Sequence, residues 1–405
     1  MKADSSVRDP QGVEKIMGLR DHVICDSDLH VMEPPDLWER YIDPAYKHAA
    51  PRGLSEITRD MRVRVKNNVM LRMGSTRPMR LEGRKTGWQE HHDNVYAASE
   101  ARGWDPQSQI DAMDAEGLDL AVLFPSRGLF VLGLDSSEQI GADGLEPEFA
   151  TAIARAYNDW LKDFCDFAPG RMFGSGMVAA HDVSGAVEEA RRCVEELGFK
   201  AIFLPPATVN RRPWHHPAYD PLWAEIERLG VPLSFHGGGQ TYLTPDFGLE
   251  VLDKLMLWHT FSQPLGIQFV TACLCGGGVL ERFPNLKVAL LEGNCSWAPW
   301  FMYRLDEHWE WTGWYEAPEL TMPPSEYFKR NCWVSVEADE VTVPHFIETF
   351  GDDKLIFSTD YPHGDSKYPH AVDAFDKLPL SDASKAKIIC TNWSALYDIP
   401  LVKKT

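Results

Sequence analysis

Short apolar runs recur along this chain, and each is followed by a longer stretch whose apolar residues are spaced three and four apart. The runs are Val23–Ser27, Asp119–Pro125, Arg171–Ala180, Lys200–Pro206, Val231–His236, Lys287–Glu292, Cys332–Glu337 and Lys354–Asp360. Apolar runs of this length, rich in β-branched residues, read as strands, and their near-continuous apolar character says that both faces are buried. Helical patterns fall between them over Gln107–Glu116, Glu148–Phe167, Val183–Leu197, Tyr219–Leu229, 249–283, Trp297–Trp309 and Val343–Phe350, with Ser381–Leu396 closing the chain. Gly117, Gly198 and Gly230 stand where three of these helices stop, as glycine does at helix C-termini. Eight strands alternating with helices predict an α/β fold closed into a (β/α)8 TIM barrel. No G-x-G-x-x-G follows the first strand, which counts against an open dinucleotide-binding sheet.

Two segments stand outside this rhythm. Residues 1–20 are polar and read as an N-terminal arm before a barrel spanning 21–400. Residues 33–104 are irregular and dense in Arg, Pro, Trp and His. A loop this long inside a domain is normally functional. Because it leaves the C-terminal end of the first strand, it is expected to be a lid over the barrel mouth or an oligomer contact.

Composition narrows the partners. Hydrophobic residues make up 44% and charged residues 25% of the 405 residues, with a formal net charge of -20. That charge argues against nucleic acid or an anionic membrane surface, and no run of about 18 apolar residues suggests a membrane span. A small-molecule substrate is expected. The eight cysteines, at 25, 165, 193, 273, 275, 295, 332 and 390, show neither a disulfide framework nor zinc-knuckle spacing. Buried thiols and the absence of an apolar leader within Met1–Arg20 lead to the expectation of a cytoplasmic enzyme. Tryptophans at 297, 300, 309, 311 and 314 would line a substrate cavity or a subunit interface, and a homo-oligomer is expected.

The chemistry collects at the strand ends, where a barrel of this kind builds its active site. Asp26, Asp28 and His30 follow the first apolar run at spacings of two, which puts them on one face of a strand. The fifth strand ends in His236, the sixth in Glu292, the seventh in Glu337 and the eighth in Asp360. Carboxylates and imidazoles from separate strands converging on one mouth are a divalent-metal donor set. His259, in Leu257-Trp258-His259, is a candidate proton donor or further ligand. His363, three residues after Asp360, would support that ligand from behind.

Asp26-Ser27-Asp28-Leu29-His30, the His236 turn, Phe283-Pro284-Asn285-Leu286-Lys287 and Ser358-Thr359-Asp360-Tyr361-Pro362-His363 together resemble the amidohydrolase-related family. This is the branch of the amidohydrolase superfamily that includes aminocarboxymuconate-semialdehyde decarboxylase and γ-resorcylate decarboxylase. The resemblance implies that Asp28, His30, His236 and Asp360 hold a divalent metal, zinc or manganese first, with iron also compatible. It implies hydrolysis or non-oxidative decarboxylation of a small organic acid, ester or amide, with Asp360 or Glu292 moving the proton. In the family the first pair is often His-x-His, and here Asp28 replaces its first histidine. The sixth strand usually ends in a histidine, and here it ends in Glu292. A glutamate can serve there as acid or base if burial raises its pKa. It could equally become a ligand. Counting Glu292 and Glu337 gives four carboxylates and two histidines, a set resembling carboxylate-bridged di-iron proteins. The alternative is therefore a non-haem di-iron monooxygenase acting on a bulky hydrophobic substrate, with two metal ions.

Overall fold

The structure is a computed structural model that describes residues 18–54, 62–70, 94–237 and 255–403. Eight parallel strands lie side by side in the order in which the chain makes them. They are β1 (Cys25–His30), β5 (Leu120–Phe124), β6 (Met172–Met177), β7 (Ala201–Leu204), β8 (Leu233–His236), β9 (Val288–Leu291), β10 (Cys332–Val336) and β11 (Leu355–Phe357). Past the last strand the chain returns to β1: Asp360 N donates to Asp28 O at 3.2 Å, and His30 N donates to Tyr361 O at 2.7 Å. These bonds join the first and last strands and close the barrel that the alternating pattern predicts.

Strand residues are almost all buried, because helices cover the outside while side chains fill the inside. The Pro106–Glu116 helix shows how the local sequence sets an element. Asp105 caps it by accepting Ser108 N at 2.8 Å, proline opens it, and Gly117 ends it at φ 91°. At its far end Glu116 accepts Val372 N at 2.7 Å, which ties this helix to the start of the Ala371–Asp376 helix.

Element boundaries depart from the sequence reading in informative ways. The first strand runs on to His30 instead of ending at Ser27, so Asp28 and His30 lie within it. Its register against β5 slips between Asp26 and Leu29, a bulge that breaks the strict alternation of side chains. The closing helix is interrupted: Asp382–Ala386 passes through a wide turn at Lys387–Thr391 into Asn392–Tyr397. The long helical stretch is Leu255–Thr271, which widens at Ala272–Gly276; the 249–254 part of the expected helix lies outside the described residues.

The insertion after β1 contributes a small antiparallel sheet, β2 (Arg52–Gly53), β3 (Val63–Val65) and β4 (Asn68–Met70). It is tied to the segment following β5 through Lys66, whose Nζ donates to Gly144 O at 2.5 Å. Further along, Tyr96 and Trp104 pack on Tyr361, at ring-centroid separations of 5.7 and 6.3 Å. Tyr361 adjoins Asp360, so this part of the insertion sits at the C-terminal end of the barrel strands. Residues 71–93 lie outside the described residues, as do residues 1–17 of the expected arm. At the end of that arm Arg20 pairs with Asp373 at 2.5 Å. All eight cysteines are buried free thiols, and no described helix is long and apolar enough to cross a membrane.

Candidate metal centre

Asp28 and His30 project from the distal half of β1, His236 ends β8, and Asp360 follows β11; all four are buried. The two rings meet edge to face, with His30 Nε2 2.9 Å from His236 Nε2. Asp28 Oδ1 stands 3.0 Å from His236 Nε2 and 3.4 Å from His30 Nε2, and Asp360 Oδ1 stands 3.3 Å from His30 Nε2. Each ring is committed on its other side: His30 Nδ1 donates to Pro125 O at 2.7 Å, and His236 Nδ1 to Gly237 O at 2.7 Å. That leaves both Nε2 lone pairs directed inward, the arrangement by which backbone carbonyls orient metal-binding imidazoles.

Both oxygens of Asp28 and Oδ1 of Asp360 are buried with no hydrogen bond. Buried, unsatisfied carboxylate oxygens are costly unless a cation takes their charge. Mixed imidazole and carboxylate donors suit zinc, manganese or iron, so the residues present fit one divalent ion.

Donor atoms within 4.8 Å of one another form two groups, Asp28 with His30 and His236, and His30 with Asp360 and His363. They share His30 and so describe a single centre. His363 is therefore nearer the donor set than its expected supporting place: Nδ1 is 2.8 Å from Asp360 Oδ1, and its ring lies 3.9 Å from that of His30. Ser126 Oγ holds its Nε2 at 3.0 Å. Its position three residues past Asp360 was the available signal, but only the turn after β11 brings the ring alongside His30.

Asp26 does not join the cluster. It accepts Thr359 Oγ1 at 2.5 Å and Asp28 N at 2.9 Å, and so clamps β1 to the end of β11. The shared face expected for Asp26, Asp28 and His30 is thus corrected to Asp28 and His30, since the bulge re-aims the chain between them.

The remaining sequence candidates surround the donors. Glu292 Oε2 is 3.4 Å from His236 Nδ1 with no hydrogen bond, and Gln263 Nε2 reaches Oε1 at 3.5 Å. A Cβ on Gly237 would lie 2.9 Å from Glu292 Oε2, so glycine is needed there for the close approach. His259 contacts Gln263 Nε2 through its own Nε2 at 3.0 Å, and Gln263 in turn reaches Glu292. Neither Glu292, Glu337 nor His259 enters the two donor groups among the described residues. Asp360 and Glu292 both hold left-handed backbone, at φ 55° and 50°, a strain that clusters at functional sites.

Charge and burial separate the acids. Burial pushes Asp28 up, but His236 and His30 outweigh it and hold the carboxyl well below the usual range. Burial raises Asp360 to about 7 against the pull of His363. It also drives Glu292 well above the carboxylate range, opposed by His236 and reinforced by Asp360 and Asp365. Glu337 moves the same way, through burial and then through Asp360 and Asp365. Asp28 is thus pushed down while Asp360, Glu292 and Glu337 are pushed up, and acids displaced in opposite directions suit a site that holds charge and delivers a proton.

The family model described as Amidohydrolase matches residues 25–399. This chain belongs to the amidohydrolase family. It is a metal-dependent enzyme of that superfamily, as the donor set and the matched span together require. Among curated relatives it is 28% identical over 332 residues to γ-resorcylate decarboxylase of Rhodococcus jostii (strain RHA1), covering 78% of this chain and 98% of the relative. The solved structure of an amidohydrolase from Mycobacterium avium subsp. paratuberculosis K-10 superposes with a TM-score of 0.72 at 22% identity, covering 94% of this chain and 99% of that one. A 5-carboxyvanillate decarboxylase from Novosphingobium aromaticivorans, complexed with manganese and 4-hydroxy-3-methoxy-5-nitrobenzoic acid, superposes with a TM-score of 0.63 at 19% identity, covering 93% and 96%. The (β/α)8 barrel expected from the strand pattern is the fold of these structures.

Proposed function

We propose that this amidohydrolase is a non-oxidative decarboxylase of a small aromatic acid, built on one divalent ion held by Asp28, His30, His236 and Asp360, with His363 beside them. The observation that carries this reading is Glu292: its Oε2 is buried with no hydrogen bond 3.4 Å from a donor imidazole, in surroundings that push its pKa above the ordinary carboxylate range. Manganese is preferred over zinc or iron, since a relative of this fold binds it. One ion is preferred over two because Glu292 and Glu337 stand outside both donor groups.

When bound, the ion supplies positive charge that fixes the substrate's oxygens and stabilises charge developing on them. The chain's residues do the rest. Glu292 gives its proton to the ring carbon that bears the carboxylate. The bond from that carbon to the carboxyl carbon then breaks, its electron pair returns to the ring, and CO2 leaves. Water reprotonates Glu292. A cleft of about 320 Å3 is lined by Gly293, the residue after Glu292, and by Pro264, Trp297 and Thr342 among others, a volume with room for a single aromatic ring.

The test is CO2 release from 2,6-dihydroxybenzoate and ring-substituted benzoates by the manganese-loaded protein. Hydrolysis of esters or amides with no CO2, or O2 consumption by an iron-loaded form, overturns the reading. Two further readings belong with it. The insertion acts as a lid, supported by the packing of Tyr96 and Trp104 on Tyr361. The enzyme works as a cytoplasmic homo-oligomer, supported by its free thiols and by the exposed Trp300, Tyr303, Trp311 and Trp314, and sedimentation of the purified chain tests the assembly.

A further inference from the structure

One fully buried carboxylate near the centre has no part in the chemistry just described. Glu33 lies on the segment leaving β1 and is 0% exposed. It receives three consecutive backbone N–H groups: Ser126 at 3.1 and 3.2 Å, Arg127 at 2.8 Å and Gly128 at 2.9 Å. The Arg127 guanidinium donates to the Glu33 carbonyl. A Cβ on Gly128 would sit 3.1 Å from Glu33 Oε1 and 2.6 Å from Pro125 Cβ, so glycine lets the loop close on the carboxylate. Three amide donors converging on one carboxyl group form a rigid nest; burial pushes the Glu33 pKa up, while the Gly128 and Arg127 amides and the Arg127 charge oppose that rise.

The loop pinned in this way is the one that orients two donor imidazoles. Pro125 O accepts His30 Nδ1 at 2.7 Å, and Ser126 Oγ meets His363 Nε2 at 3.0 Å. His30 belongs to both donor groups and His363 to one. We propose that Glu33 is a positioning residue for the metal centre: through the 125–128 loop it sets the ring orientations of His30 and His363 together. The proposal rests on the one-ion reading above. It makes the exit of β1 contribute twice, first through Asp28 and His30 as donors and then through Glu33 as the anchor of their support.

The experiment measures Mn2+ affinity of the full chain by chelator competition, the electron paramagnetic resonance signal of bound Mn2+, and thermal stability without metal. Glu33→Gln keeps the side-chain length but turns an amide N–H2 toward the loop's donors. The expected result is a loss of Mn2+ affinity of about 10–100-fold with an altered resonance signal. Ser126→Ala, which removes only the His363 branch, is expected to lose less. Glu116→Gln, at a buried carboxylate remote from the centre, keeps native affinity and signal whatever its stability. Native affinity and native signal in Glu33→Gln overturn the proposal, even if the variant melts earlier. If Glu33→Gln does not fold, Ser126→Ala decides: reduced affinity supports the proposal and native affinity overturns it. Failure of the native chain to bind Mn2+, or native affinity in Asp360→Asn, overturns the one-ion reading and this proposal with it.

Discussion

His30 Nε2 and His236 Nε2 face each other at 2.9 Å, although each ring already donates a hydrogen bond from its Nδ1–H to a backbone carbonyl. Two lone pairs at that distance need a cation or a proton between them. One proton shared by the two nitrogens would not balance the charge of Asp28 and Asp360, three of whose oxygens are buried with no hydrogen bond. A divalent ion answers all five atoms at once.

Metal removal should therefore destabilise the folded chain. Adding Mn2+ to chelator-treated protein should raise the thermal midpoint, by the equivalent of about 2.7 kcal/mol at a hundred times the dissociation constant. Differential scanning calorimetry checks this, and a midpoint indifferent to Mn2+ would count against a site in this cluster.

Asp360→Asn removes the charge from a donor that also neighbours His363 at 2.8 Å. The expected outcome is a fall in Mn2+ affinity of more than about 100-fold, beyond what loss of a supporting residue causes, with activity lost in parallel. Elemental analysis of the purified variant reads this directly.

Glu292→Gln separates the proton donor from the ligands. Metal content should stay at the native level while kcat falls by roughly 10²–10⁴-fold, the usual contribution of general acid catalysis. Burial, the largest influence, holds the Glu292 carboxyl well above its ordinary range. The protonated form is the working one, so kcat should be level on the acid side and fall as pH rises through this raised pKa. That alkaline limb should vanish in the variant. A halved metal content would instead identify Glu292 as a ligand.

Glu116 offers a test away from the site. Burial raises it to about 7, against the amide of Val372. Its folded pKa exceeds the unfolded one, so the native state holds the extra proton between about pH 4.5 and 7. Its contribution to stability is therefore complete below pH 4.5 and is lost as pH rises to 7, at most about 3 kcal/mol. Urea unfolding of native protein and Glu116→Gln across that window should show the slope in the first and a flatter profile in the second.

What the sequence determined by itself is the barrel and the strand ends on which the candidate donors stand. Continuous apolar runs at barrel spacing can be buried only as a covered parallel sheet, and each places its last residue at one mouth. Asp28, His30, His236, Glu292, Glu337 and Asp360 were legible for that reason. The tertiary structure decided which of them meet. Asp26 has the same spacing as its neighbours, yet a bulge set by pairing with β5 turns it to Thr359. His363 lies beyond the strand pattern and comes beside His30 through the turn after Asp360. Glu33 was silent because its partners are backbone N–H groups roughly ninety residues away, and backbone donors leave no mark in a sequence. Periodicity reports the face on which a residue lies; the convergence of donor atoms from distant segments arises only when the barrel closes.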